Sequence, residues 1–153
     1  MSISLGLITY GIVLWLSEDK VYKLNCSYET FGQYVLQFAM ETIPPFHSKR
    51  IPSLKMLDRY HKKSYGTYDT FKKHITIYVK RHESVEELIS SIIHETVHFK
   101  QYQQNPRGHL KKYNKLLNTV GYKNHPMEIE AETIAEQKLK PCIKFLIKND
   151  IIS

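Results

Sequence analysis

Two histidines four residues apart, with a glutamate between them, are the residues of this sequence best placed to do chemistry. They lie in the segment His94-Glu95-Thr96-Val97-His98. A helix puts residues four apart on one face, so both imidazoles can ligate one cation. Glu95 is angled toward the same place and can hold a metal-bound water as general base. We therefore predict one Zn²⁺ per chain, held at this segment.

A third zinc ligand must come from elsewhere in the chain, because a catalytic zinc takes three protein ligands and keeps one position for water. Glu128 and Glu132 lie one turn apart on a predicted second helix. We predict that Glu128 ligates the metal and that Glu132 hydrogen-bonds the far nitrogen of a ligand histidine. A solvated surface position is the alternative for Glu132. Glu130 points elsewhere and is expected to complement the helix dipole.

The helix that carries the histidines is predicted from Val85 to about Gln104. Ser84 can cap its N-terminus, and Glu87 three residues later completes a capping box. The histidines share a face with the small residues Ser90 and Ser91, and a different face is apolar at helical spacing. The apolar face consists of Val85, Leu88, Ile89, Ile92, Thr96 and Phe99. We expect the helix to pack on that face and to present its histidines on the other.

The remaining pattern predicts an α+β fold in one domain over residues 1–153. A helix is expected at 28–41 and a loop at 44–66, with a short helical piece around 54–60. The turn-rich segment 65–70 and the β-branched strand 74–79 suggest a hairpin. A helix and a loop follow over 109–123. A last helix begins at Pro126 and is expected to be broken or kinked at Pro141.

The order of these motifs resembles the gluzincin metallopeptidases, in which HExxH is followed by a helix bearing a glutamate ligand. Here that helix carries Glu128-Ile129-Glu130-Ala131-Glu132, where the family usually has Asp at the last position. The small single-domain minigluzincins match best in length and order, over roughly residues 65–140. The resemblance implies a zincin-like fold, in which a small twisted sheet packs an edge strand on the HExxH helix. That strand, which in the family pairs with an extended peptide substrate, corresponds here to His74, Ile75, Thr76, Ile77 and Tyr78.

Two other zinc protease patterns fit less well. A metzincin would continue the motif as HExxHxxGxxH, but Gln101 and Gln104 stand at the two further positions. A SprT-like protease would use a third histidine and often a cysteine ribbon, and neither is evident. The resemblance therefore favours the gluzincin arrangement.

The function expected from these residues is zinc-dependent hydrolysis of peptide bonds, with a peptide or protein as substrate. Glu95 would take the proton of the attacking water and deliver it to the leaving amine. Tyr122, His125 and Tyr113 lie near the glutamate helix and are candidates for stabilising the oxyanion. A packed or exposed side chain is the alternative for each. The alternative function is a non-catalytic zinc protein on the same fold, with a structural or partner-binding role in a phage or other assembly.

Composition and charge leave further partners open. Of the 153 residues, 42% are hydrophobic and 24% are charged, as in an ordinary globular protein. The formal charge of +7 would favour nucleic acid. The basic residues are spread widely, however, so a solvated basic surface is preferred. Cys26 and Cys142 form no CxxC motif, and a disulfide between them is not implied.

The N-terminal segment 1–17 is uncharged and mostly apolar. It is shorter than the roughly 20 residues of a spanning helix and lacks a basic region before the apolar stretch. A buried strand pair or core helix is therefore preferred, and a membrane anchor or a poor signal peptide is the alternative. An intracellular or virion-associated location is favoured over secretion. The sequence indicates no oligomeric state.

Overall fold

A computed structural model describes residues 21–46 and 50–153 of the chain. Within these ranges the chain forms four α-helices, three β-strands and a 3-10 turn, so the predicted α+β class is confirmed. The apolar segment 1–17 lies outside the described residues. In chain order the helices and strands are α1 Tyr28–Thr42, β1 Ser53–Leu57, β2 Gly66–Asp69, β3 His74–Tyr78, α2 Val85–Gln104, α3 His109–Val120 and α4 Pro126–Lys148.

The three strands form one mixed sheet in the order β1-β3-β2. Strand β3 pairs in parallel with β1 and antiparallel with β2, so the predicted hairpin of β2 and β3 is confirmed. The predicted edge position of His74–Tyr78 is wrong, because this strand has a partner on both sides. Ile75 and Ile77, which belong to this strand, are fully buried in the core, as expected of a central strand. In the sheet formed by the described residues, β2 is the edge strand on the side toward α2.

Strand β1 occupies a segment for which the sequence predicted a short helical piece. Leu54 and Met56, two residues apart, face α1 at Gly32, and a Cβ at Gly32 would lie 2.9 Å from Leu54 Cδ2. A glycine at this position lets helix and strand approach closely. Pairing with β3 and packing on α1 thus determine the conformation of this segment, and the expected helical piece is wrong.

Helix α2 begins and ends where the sequence predicts. Ser84 accepts a hydrogen bond from the Glu87 backbone N–H at 3.2 Å, and the Glu87 carboxylate accepts one from the Glu83 N–H at 2.9 Å. The predicted apolar face is buried throughout. The helix therefore packs its apolar face into the core, and its histidines lie on another face, where α2 contacts α4.

Helix α4 begins at Pro126 as predicted, but it is not broken at Pro141 and continues to Lys148. Pro141 is exposed, whereas Cys142, Ile143 and Leu146 are buried in the core and hold the last turns in place. Both cysteines are free. No helix among the described residues is long and apolar enough to cross a membrane.

Candidate metal centre

Three predicted metal ligands converge at the contact between α2 and α4. Nε2 of His94 and Nε2 of His98 lie 3.1 Å apart, and Glu128 Oε1 lies 3.0 Å from the first and 3.1 Å from the second. Ligand atoms at about 2.0–2.1 Å from a tetrahedral zinc would lie roughly 3.3 Å apart. The triangle is therefore of a size that a small divalent cation can cap. Two neutral imidazoles and one carboxylate are also a donor set that such cations accept.

The start of α4 is fixed by His125, which places Glu128 opposite the histidines. Its Nδ1 accepts a hydrogen bond from the Met127 backbone N–H at 3.1 Å. Its Nε2–H donates to the Tyr113 carbonyl oxygen at 3.0 Å. His125 is fully buried with both ring nitrogens engaged, so the expectation that it stabilises an oxyanion is wrong. It is a helix cap tied to α3.

The far nitrogen of His98 contacts a glutamine rather than the predicted glutamate. Nδ1 of His98 lies 2.8 Å from Gln101 Oε1, and a neutral ring that donates there leaves the Nε2 lone pair free for a metal. The Gln101 amide in turn donates to the Met127 carbonyl at 3.0 Å and to the Glu130 carboxylate at 2.7 Å. These bonds fix which end of the amide faces His98.

Glu132 is exposed on the wall of the adjacent cleft and bonds neither ligand ring within the described part of the chain, so its predicted contact is not made. Glu130, predicted to point away from the metal, lies outside the triangle and supports Gln101 instead. Gln101 was missed because it was considered only as the residue at the glycine position of the metzincin motif. Its position three residues after His98 on one helix was the available signal.

The second oxygen of Glu128 accepts a hydrogen bond from the Tyr113 hydroxyl at 2.6 Å. Burial and this bond raise the pKa of Tyr113, so it stays a donor. Burial opposes ionisation of Glu128, but the hydrogen bonds from His94 and His98 outweigh it and hold its pKa far below the usual range. Glu128 is thus an anionic ligand, and Tyr113 is committed to it rather than to an oxyanion.

Protonation of His98 competes with metal binding for the same lone pair. Burial disfavours the charged ring, but the hydrogen bond and the charge of Glu128 prevail and raise the pKa of His98. The three atoms of the triangle therefore attract a positive charge, either a proton or a cation.

Glu95 lies beside the triangle and lines the adjacent cleft. Its Oε2 is 4.0 Å from His94 Nε2, and its side chain is 12% exposed. Burial is the main cause of a raised pKa at Glu95. Strand β2 passes close by at Gly66, where a Cβ would lie 2.7 Å from Ile77 Cδ1 and 3.5 Å from Glu95 Cγ. A side chain at this position would crowd Ile77 and narrow the approach to Glu95.

A cleft of about 990 Å³ opens over the triangle and Glu95. Its floor is the polar face of α2, one wall is the loop before β2 with β2 itself, and the other is formed by α3, α4 and their connection. Tyr122 lines the cleft from that connection and is 61% exposed. Partial desolvation of its hydroxyl, together with the charge and hydrogen bonding of the Glu128 carboxylate, raises the pKa of Tyr122, so the hydroxyl keeps its proton.

No strand among the described residues pairs with the edge of β2 that faces away from β3, which we call the free edge of β2. The Tyr78 backbone N–H donates to the Tyr65 carbonyl at 2.9 Å, which marks Tyr65 and Tyr78 as a hydrogen-bonded antiparallel pair. Such pairs alternate along a strand. The backbone groups of Gly66 and Tyr68 therefore point toward the open edge, where a further strand could pair with them.

Comparison of the chain with known protein families, with characterised proteins and with solved structures finds no match.

Proposed function

We propose that this protein is a zinc-dependent metallopeptidase with a zincin-like site, as its resemblance to the gluzincins implies. The observation that carries the proposal is the position of Glu95, beside the triangle of His94, His98 and Glu128 and at the floor of the cleft. A zinc ion held by these atoms would polarise a peptide carbonyl and lower the pKa of water. An open cleft favours an enzyme over the alternative of a non-catalytic zinc protein.

Glu95 acts as the proton carrier in this proposal. It neighbours the ligand His94 in the helix but does not belong to the triangle, so its carboxylate is free to accept a proton from the attacking water. The same carboxyl group then delivers that proton to the amine that leaves when the peptide bond breaks. Tyr122, on the opposite wall, is the hydroxyl donor we assign to the oxyanion.

The substrate would bind as an extended strand along the free edge of β2. Gly66 and Tyr68 offer backbone donors and acceptors to a peptide there, as in other cases of strand addition. This assignment moves the peptide-binding strand from His74–Tyr78 to Gly66–Asp69. It places the peptide over α2, between β2 and α4, so that its backbone passes Glu95.

The test is a comparison of Glu95→Gln with the wild type after loading with zinc. We expect the variant to bind zinc with unchanged affinity and to lose hydrolysis of a casein or peptide-pool substrate by roughly 10²–10⁴-fold, the usual contribution of a general base. Glu29→Gln, at an exposed position on α1, is the matched control and should keep full activity. Equal activity of Glu95→Gln and wild type would contradict the proposal, as would a wild type that binds no zinc.

A further inference from the structure

One end of the cleft is held in place by His82. Its Nδ1 lies 2.9 Å from the Tyr78 carbonyl oxygen and its Nε2 lies 2.7 Å from Ser91 Oγ. Its ring also packs edge-on against Tyr65, with 5.2 Å between centroids. Tyr65 and Ser91 both line the cleft. The start of β2 and the N-terminal half of α2 are thus joined at this end.

The direction of the hydrogen bonds of His82 determines whether the Ser91 hydroxyl acts as a donor or an acceptor in the cleft. A carbonyl oxygen accepts only, so His82 carries its proton on Nδ1 and donates it to Tyr78. Burial lowers the pKa of His82, which agrees with a neutral ring. Nε2 must then accept the Ser91 hydroxyl proton. The oxygen of Ser91 is left with lone pairs, and it faces the cleft as an acceptor.

The opposite wall at this end is formed by α4. Glu128 belongs to the metal triangle, and the α4 residues that follow it line the same cleft as Ser90 and Ser91 of α2. Glu132 and Glu136 follow Glu128 by about 6 and 12 Å along the helix. Both carboxylates line the cleft and are exposed. Neither forms an ion pair among the described residues.

The surface between these acceptors is apolar. Ala135 and Leu139 line the cleft on the same wall as the two glutamates, and the floor opposite them has the small residues Ser90 and Ser91. This combination suits a long aliphatic side chain that ends in a hydrogen-bond donor with positive charge, because the stem packs on apolar atoms while the head meets carboxylates. Lys63 on the opposite rim would repel such a positively charged head group. Its single ammonium is opposed by the two carboxylates of Glu132 and Glu136.

We propose that this end of the cleft is a subsite for a lysine or arginine side chain, on the residue that follows the scissile bond. Antiparallel pairing, the more common arrangement of strands, would place the carboxyl-side residues of a peptide at the start of β2. Gly66, the first residue of β2, lies beside Glu95, and Ser91 with Glu132 and Glu136 lies beyond it. This inference rests on the proposed function and names its substrate class.

The test uses quenched fluorescent peptides that differ only at the residue after the scissile bond, which is lysine, methionine or glutamate. With the zinc-loaded wild type, we expect kcat/KM to be about tenfold higher for lysine than for methionine at low salt, the range that two exposed ion pairs supply together. The preference should shrink toward one at 1 M salt. The double variant Glu132→Gln/Glu136→Gln should cleave the lysine and methionine peptides equally, and Glu132→Lys/Glu136→Lys should favour glutamate.

Two controls separate this inference from the proposed function. Glu29→Gln should keep the wild-type ratio, and Lys63→Gln should raise it. Binding of the lysine and methionine peptides to the uncleaving Glu95→Gln variant should show the same preference in Kd. Cleavage without a lysine preference, or a preference that survives the double glutamine variant, overturns this inference alone. Failure to cleave or bind any peptide overturns it together with the proposed function.

Discussion

Helix α2 carries two buried polar clusters, and they are completed in different ways. Lys100 is 2% exposed, and its ammonium donates to the carbonyl oxygens of Met40 at 2.8 Å, of Pro45 at 3.1 Å and of Ile43. Helix α1 ends at these carbonyls and has no basic residue in its last turn. Lys100 supplies the positive charge that the end of α1 lacks. One donor group meets three fixed acceptors, and nothing further is needed.

The metal triangle on the same helix has the opposite composition. Two imidazole lone pairs and a carboxylate oxygen converge, and three acceptors can share a space only if a proton or a cation lies among them. The groups around the triangle, Gln101 and Tyr113, hold the ligands but do not fill it. A polar cluster thus points to function when its groups converge on a partner that the chain does not supply. Burial alone does not separate the two clusters.

The largest effect on zinc binding is expected for Glu128→Ala. Removal of the carboxylate takes away the charged ligand, so zinc affinity should fall by more than the roughly 10–100-fold typical of outer hydrogen-bond partners. Titration against a chromophoric chelator would measure it. Glu130→Gln is the matched control on the same helix, because it keeps an acceptor for Gln101 and should bind zinc normally. Wild-type affinity in Glu128→Ala would remove Glu128 from the site.

The converse prediction concerns Lys100→Met, which preserves the aliphatic stem and removes the donor. Three buried carbonyls would lose their shared partner, so the free energy of unfolding should fall by about 1–3 kcal/mol in urea denaturation. Zinc affinity should stay unchanged, because the triangle lies on another face of α2. Lys112→Met, at an exposed position on α3, should leave stability unaltered. A Lys100→Met variant as stable as wild type would contradict the role of Lys100 at the end of α1. A variant that loses zinc would contradict the separation of the two clusters.

Local sequence patterns predicted the elements that carry the triangle. The capping box at Ser84, the helical spacing of the apolar face and Pro126 at the start of α4 each depend on residues within one or two turns. The bounds of α2 and the position of Glu128 opposite the histidines followed from these patterns. The same reasoning placed Glu130 outside the ligand set, since helical geometry alone decides it.

The errors fall where a contact joins distant parts of the chain. His74–Tyr78 has an ideal strand pattern, but whether it lies at the edge or the centre depends on pairing with Ser53–Leu57, a segment predicted as partly helical. His125 is a plausible donor in sequence and a buried cap in space, because its second nitrogen meets the Tyr113 carbonyl. Gln101 joins two helices, and its partners on α4 are 26 and 29 residues away.

The smallest effects on zinc affinity are expected for substitutions of Gln101. If its role is to orient His98, Gln101→Leu should weaken zinc binding by roughly 10–100-fold, as expected for an outer hydrogen-bond partner. Gln101→Glu keeps an acceptor for the His98 ring and should lose less affinity, although its second oxygen would face Glu130 without a donor. Pairing it with Glu130→Gln supplies that donor and should restore much of the affinity. Equal losses in the leucine, glutamate and paired variants would mean that Gln101 acts through packing alone.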